Sequence, residues 1–280
     1  QNTSTFTAQS YQVAGEGNVN GILASNCQNP NTEAWLVGGA SSVSRESLLL
    51  LANPGVTDAT VDLELFGESG PLDAAGLRGI SVPANRTVVL PIAAWAVDES
   101  SLTIHVQSSG AAIASWIQQR AIRGTTSAGA DLISPTPGAS HQLVIPGLFI
   151  RGSADAAQLQ KQNPAYGDTV PNVQVFVPGQ KSALVTVQVI GIGAKSVGTV
   201  VQQQVNGGST VSVDIPGLAD GNYAVFVMAD QDIMAAVRLS RTGIANHPVT
   251  DFTWLNPVIA TKAAVVAVAP SSAITKLSIV

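Results

Sequence analysis

The sequence predicts an all-β protein made of two tandem antiparallel β-sandwich repeats and a C-terminal half repeat. Three observations predict it. Short apolar runs alternate with polar residues at period two, as half-buried strands do. Turn-forming residues separate these runs about every 8 to 12 residues, the spacing of a sandwich. The same succession of runs and turns then returns later in the chain, the mark of an internal repeat.

The first copy opens with the turn Asn53-Pro54-Gly55. In the run that follows, Val61, Leu63 and Leu65 alternate with Asp62 and Glu64. Its counterpart is Val177-Pro178-Gly179, followed by Val185, Val187 and Val189 between Thr186 and Gln188. Thr87 to Leu90 matches Thr210 to Val213, and Ile92 to Ala96 matches Ile215 to Ala219. Leu102 to Arg120 matches Tyr223 to Arg241 without a gap. Trp254-Leu255 and Ala263 to Ile279 resemble Trp35-Leu36 and Leu48 to Leu65, which supplies the half copy. The expected boundaries are therefore an N-terminal extension over 1–34, a first sandwich over 35–140, a second over 141–253 and a partial third repeat over 254–280, packing on a sandwich.

Between the copies, Leu143 to Ile150 reads as a strand, Arg151 to Gly167 as an exposed loop, and Asp155 to Gln162 as one short helix. Ala224, Phe226 and Met228 lie opposite Tyr223, Val225 and Val227, so this strand is apolar on both sides. Its second face needs a cover: the other domain, the terminal half copy or a second chain.

Composition narrows the function classes. Charged residues make up only 11% of the 280-residue chain, and the 13 Lys and Arg are scattered. Nucleic-acid binding needs clustered cations for phosphate contacts and is set aside. No apolar run reaches the 18 or so residues of a membrane-spanning helix. The polar start at Gln1 fits a mature protein whose targeting segment has been removed. Cys27 stands alone, which excludes an internal disulfide and a cysteine-based zinc site. It is expected as a small buried or free thiol, or as one whose disulfide partner lies outside this chain.

Side chains that could carry chemistry all have structural readings. His105 aligns with Phe226, which points to packing, while His141 and His247 fall in loop-like segments with no metal-ligand spacing. No GxSxG elbow, SxxK or Cys-His arrangement occurs. Gly191-Ile192-Gly193 to Gly198 connects two strands and offers no helix N-terminus to a phosphate. Asp62 and Glu64 share a strand face. Asp230 and Asp232 are read as a tight turn, with Asp98, Glu99 and Asp220 in equivalent loops. No complete calcium loop is visible. Trp95 aligns with Leu218, Trp116 with Val237 and Trp35 with Trp254, so the tryptophans read as core or loop anchors. A sugar platform would have to be built elsewhere, near Tyr11 or Tyr166. No catalytic, cofactor-binding or metal-binding residue is assigned, and no cofactor is expected.

Several of these segments carry a resemblance. Trp35-Leu36-Val37-Gly38-Gly39, Leu51 to Gly55, Val82-Pro83-Ala84, His105 to Arg120, Val144-Ile145-Pro146-Gly147 and Asp251-Phe252-Thr253-Trp254 resemble a family of large secreted actinobacterial proteins whose domain has no assigned function. The pattern is also similar to immunoglobulin-like modules of bacterial surface proteins. The resemblance implies export, an extracellular or cell-envelope location, and no catalytic residue. The expected function is that of a non-enzymatic structural or binding scaffold, with an envelope protein or cell-wall glycan as partner. The alternatives are a module binding cell-wall polysaccharide, and a hydrolase with an unrecognised carboxylate pair.

Overall fold

The computed structural model describes residues 8–15, 20–193, 198–244 and 248–260. The alternating runs form antiparallel strands throughout. Strands β1 (Gln9–Ala14) and β2 (Gly21–Asn26) make a hairpin. The first lobe follows with β3 (Glu33–Val37), β4 (Arg45–Asn53), β5 (Ala59–Gly67), β6 (Gly70–Leu72), β7 (Ile80–Val82), β8 (Arg86–Pro91), β9 (Thr103–Ser109), β10 (Ala114–Arg123) and β11 (Thr126–Ile133). The second lobe holds β12 (Ser140–Ile150), helix α1 (Ser153–Gln162), β13 (Asn172–Phe176), β14 (Ala183–Gly191), β15 (Thr199–Val205), β16 (Thr210–Asp214), β17 (Gly221–Gly243) and β18 (Val249–Leu255).

Two sheets close around each core. In the first lobe the orders are β11-β10-β4-β8 and β3-β9-β5-β6, with β7 also on β5. Leu49, Leu51 and Ile117 from one sheet meet Leu36, Val61, Leu63 and Ile104 from the other. In the second lobe β17 serves both sheets. Its first half lies between β12 and β14, and its second half between β13 and β18. Val185, Val187, Val225 and Val227 pack there against Val173, Val175 and Val237. The alternation of each strand supplies these inward rows, because successive side chains leave opposite faces.

The expected turn at Asp230 to Asp232 does not form, since these residues lie inside the 23-residue strand β17. The corresponding corner of the first lobe is broken at Gly110. This residue has φ +84°, and a Cβ there would sit 2.6 Å from the Asp58 carbonyl oxygen, so only glycine fits. The first lobe also spends one residue more at this corner. Val106 and Val227 both face inward, but further on Ile117 pairs with Leu49 where Val237 pairs with Val173. The gap-free alignment of Leu102–Arg120 with Tyr223–Arg241 therefore slips by one beyond the corner, and a slip of one exchanges the faces. Trp116 pairs with Leu50 and Ala236 with Gln174, so an alignment of the two strands by their pairing sets Trp116 against Ala236 rather than Val237.

The sheet containing β13, β16, β18 and the second half of β17 is buried on both sides. Val173, Val175, Val237 and Leu239 belong to the second core, whereas Phe176, Met234, Ala236, Phe252 and Trp254 join the first. The first lobe thus covers the second face of β17 along its later half, while Phe226 and Met228 stay half-buried. Of the partial repeat, Trp254-Leu255 ends β18 against β17; residues 261–280 lie outside the described residues. The loop expected from Arg151 to Gly167 carries α1 and a 3-10 turn, Pro164–Thr169.

Polar side chains complete the junction. Gln174, 1% exposed, donates through Nε2 to Gly39 O (3.0 Å) and Ser100 O (3.3 Å), and its Oε1 accepts from Leu102 N (3.4 Å). The edge strands β11 and β18 are stitched by side chains. Asp131 Oδ2 accepts from Trp254 N and Thr253 Oγ1, and Asp251 Oδ1 accepts from Ala130 N. Replacing Gln174 by Leu strands three buried backbone groups at one position. Its expected effect is a loss of roughly 1–3 kcal/mol in urea unfolding with no change in far-ultraviolet circular dichroism.

Candidate functional site: the helical crossover between the lobes

Among the described residues, the connection from β12 to β13 carries the α-helix. It starts at Gly152, whose φ of +73° and close approach to the Thr242 carbonyl oxygen (2.0 Å from a Cβ position) exclude a side chain. The first N–H groups of α1 lack partners within the helix. Asp220 supplies them from another loop, accepting from Ser153 N (2.9 Å) and Gly152 N (3.2 Å). These bonds, the one from Ser153 foremost, hold the Asp220 carboxyl below its ordinary range. After α1, Asn163 Oδ1 accepts from Ala165 N (2.9 Å), and Pro164 enters the 3-10 turn at its first position.

That turn delivers Asp168 to the junction of the lobes. The Asp168 carboxylate pairs with Arg123 of β10 and lies 3.6 Å from Nη2 of Arg238 in β17, while its carbonyl oxygen accepts from Arg238 Nη1. Arg238 is 1% exposed and lies over the Phe252 ring at 4.3 Å. Burial pushes its pKa down to about 9, nearby Arg45 and Arg123 push the same way, and Asp168 opposes them. Burial also lowers Arg45. Arg123 engages its whole fork: Nε donates to Ala165 O (3.2 Å), one terminal nitrogen to Thr250 and the other to Asp168. Its guanidinium stacks 4.5 Å from the centroid of Tyr166.

Two cavities flank this network. One of about 370 Å³ lies under α1, lined by Ile150, Ala157, Val170, Leu218 and Ser240. The other, about 450 Å³, opens between the β10–β11 turn and the 3-10 turn, lined by Arg123, Thr126, Ser127, Asn163, Tyr166 and Thr250. The first is mainly apolar, while the second presents an aromatic ring, hydroxyls and an amide.

Of the side chains singled out in the sequence, Asp220 and Tyr166 lie at this crossover and the others fall elsewhere. His105 is 6% exposed and stacks on Trp35 at 3.9 Å with an 8° interplanar angle. Its Nδ1 lies 3.0 Å from Glu64 and its Nε2 2.9 Å from Glu33, so only the doubly protonated ring donates to both. The bond from His105 is the main reason the Glu64 carboxyl lies below its ordinary range. Arg78 answers both Glu64 (3.2 Å) and Asp62 (3.7 Å). His141 is exposed, with Nε2 3.5 Å from Asp232, and His247 lies outside the described residues. Asp230 accepts from Leu184 N, and Glu99 from Glu68 N. Cys27 is exposed with a free thiol. Trp254 is buried and donates to Gln119, while Trp116 donates to Ser25. Among the described residues no three His, Cys, Asp or Glu side chains gather as a metal-holding group, and no helix is long and apolar enough to cross a membrane.

Sequence reasoning missed Arg45, Arg123, Asp168 and Arg238. One signal was present: Arg238 interrupts the apolar run Ile233 to Leu239, in a strand with both faces buried, and a buried charge requires a partner.

This architecture defines an all-β, sandwich-like protein whose lobes meet at a helical crossover. The chain belongs to the family of unknown function DUF5719, whose model matches residues 1–280. No curated protein matches it. Among solved structures, it is similar to the crystal structure of Thermotoga maritima 1070 at 11% identity and a TM-score of 0.30, over 41% of this chain and 92% of that one.

Two outcomes are expected. Asp168→Asn leaves two buried guanidiniums without their counter-charge and destabilises the chain by about 3–5 kcal/mol in denaturant titration. Asp131 is raised by burial from 3.8 to about 7. The folded state therefore binds its proton more tightly than the unfolded chain. This contribution is fully present below about pH 4, is lost as pH rises toward 7, and is flat above that. Asp131→Asn keeps an oxygen for Trp254 N and Thr253, and flattens this slope in melts recorded from pH 4 to 8.

Proposed function

We propose that this chain is a non-catalytic, exported cell-envelope or surface protein that acts as a structural or binding scaffold. In this reading the two lobes are copies of one immunoglobulin-like sandwich, bounded at 35–140 and 141–253, with a partial third copy over 254–280. The pairing orders support the repeat: β11-β10-β4-β8 parallels β18-β17-β13-β16, and β3-β9-β5 parallels β12-β17-β14. One observation carries the scaffold reading. The sheet of β13, β16, β17 and β18 contributes side chains to both cores, which makes two sandwiches one mechanical unit. The groups best suited to chemistry are taken up in structural contacts, with His105 clamped between two glutamates inside the first lobe and Asp168 between two arginines at the junction.

Carbohydrate binding is the second reading, favoured by the cavity that Tyr166 lines with Asn163, Thr126 and Ser127. A hydrolytic reading needs two carboxylates about 5–10 Å apart across an open cleft, and Glu33 and Glu64 instead both bond His105. Full-length protein mixed with purified cell walls of the source organism is expected to sediment with them saturably. Protein that stays in the supernatant at every wall concentration counts against an envelope scaffold.

A further inference from the structure

We infer that the cavity of about 450 Å³ beside Tyr166 is a subsite that stacks one neutral hexose ring of a polysaccharide; this rests on the carbohydrate reading above. Its size lies within the span of about 300–1,000 Å³ usual for small-ligand sites. Sugar recognition needs an apolar ring face and hydroxyl-bonding groups around it, and this cavity provides both.

The ring is Tyr166. Arg123 fixes it from one side, 4.5 Å from the centroid, so little side-chain freedom remains to be lost when a ligand stacks. The four tryptophans are buried or half-buried, and Trp35 has His105 against it; Trp254 and Phe66 line other cavities, and Tyr166 is the aromatic of this one.

The surrounding polar groups retain bonding capacity. Asn163 uses its Oδ1 on Ala165 N, and its Nδ2 amide has no partner among the described residues. Ser127 Oγ accepts from Asn20 N (3.1 Å) and keeps its proton to donate. Thr126 adds an exposed hydroxyl at the rim.

The charge of the ligand follows from Arg123. All three of its nitrogens are engaged by Ala165, Thr250 and Asp168, so the guanidinium offers no free bidentate edge to an acidic sugar. A neutral hexose fits this lining better than a uronate.

The test uses the full chain on an array of neutral hexose oligosaccharides and uronate-containing oligosaccharides, followed by calorimetric titration of the strongest binder. Tyr166→Phe keeps the ring and is expected to bind within about twofold of wild type. Tyr166→Leu removes it and is expected to weaken binding about tenfold. Asn163→Asp keeps the oxygen that caps the turn, loses the amide donor, and is expected to weaken binding by a similar factor; thermal melts confirm that each variant is folded. Should Tyr166→Leu fail to fold, Asn163→Asp and Thr126→Val carry the test. Affinity unchanged in these variants overturns the subsite while leaving carbohydrate binding intact. Tyr166-dependent binding of uronates alone overturns the neutral class. No binding of any oligosaccharide overturns both the subsite and the carbohydrate reading.

Discussion

A β-sheet with one apolar face makes a sandwich, but a sheet with two must be shared, and this sharing organises the molecule. Val173, Val175 and Val237 point into one core while Phe176, Met234 and Ala236 point into the other. Neither lobe can leave without exposing one of these faces, and apolar area returned to water costs roughly 25 cal/mol per Å². The shared sheet also explains the many polar groups at the junction. Stacking a finished sandwich on the back of a sheet buries peptide groups that no ladder satisfies, so side chains must reach across. Gln174, Asp131 and Asp251 do so, each bonding backbone of the opposite lobe or of β2.

The arginine cluster is a harder case. Burying Arg238 beside Arg45 and Arg123 is unfavourable in itself, as the lowering of its pKa to about 9 indicates. Asp168 offsets part of that cost, and the Phe252 ring beneath the guanidinium adds a favourable contact. Apolar residues of the same volume are often as stabilising in such a place, because buried ion pairs are weak sources of stability. What the charges add is position. A guanidinium fork and a carboxylate satisfy each other in few geometries, so the cluster fixes the 3-10 turn against β10 and β17 at one register.

Much of this fold was legible in the sequence, and the illegible parts share a cause. Period-two alternation located β5 and β14, and the helix read at Asp155 to Gln162 forms from Ser153. Those signals are local. The merger of two strands into β17 was not visible, because Asp230, Gln231 and Asp232 carry turn chemistry that the long-range pairing with β14 and β13 overrides. The glycines of Trp35 to Gly39 had no local meaning either. The structure supplies one, since a Cβ on Gly38 would lie 3.1 Å from the Trp254 ring, joining two motifs that stand far apart in the chain. Tyr166 was nameable as an aromatic without a packing assignment. Its cavity was not, because Arg123 and Asp168 meet only in the folded chain.

The location of the helical crossover follows from the same logic. Sheets that bury both faces leave few backbone segments free to shape a concave surface, and loops on a rigid frame are where binding groups concentrate. Here the frame is rigid because its sheets are interlocked, and the crossover from Arg151 to Pro171 is held at both ends, by Asp220 on the N-terminus of α1 and by Arg123 and Arg238 on Asp168. The segment that is least sheet-like is thus among the most firmly anchored. Anchoring of that kind is compatible with the proposed subsite, since groups already fixed lose little entropy when a ligand arrives.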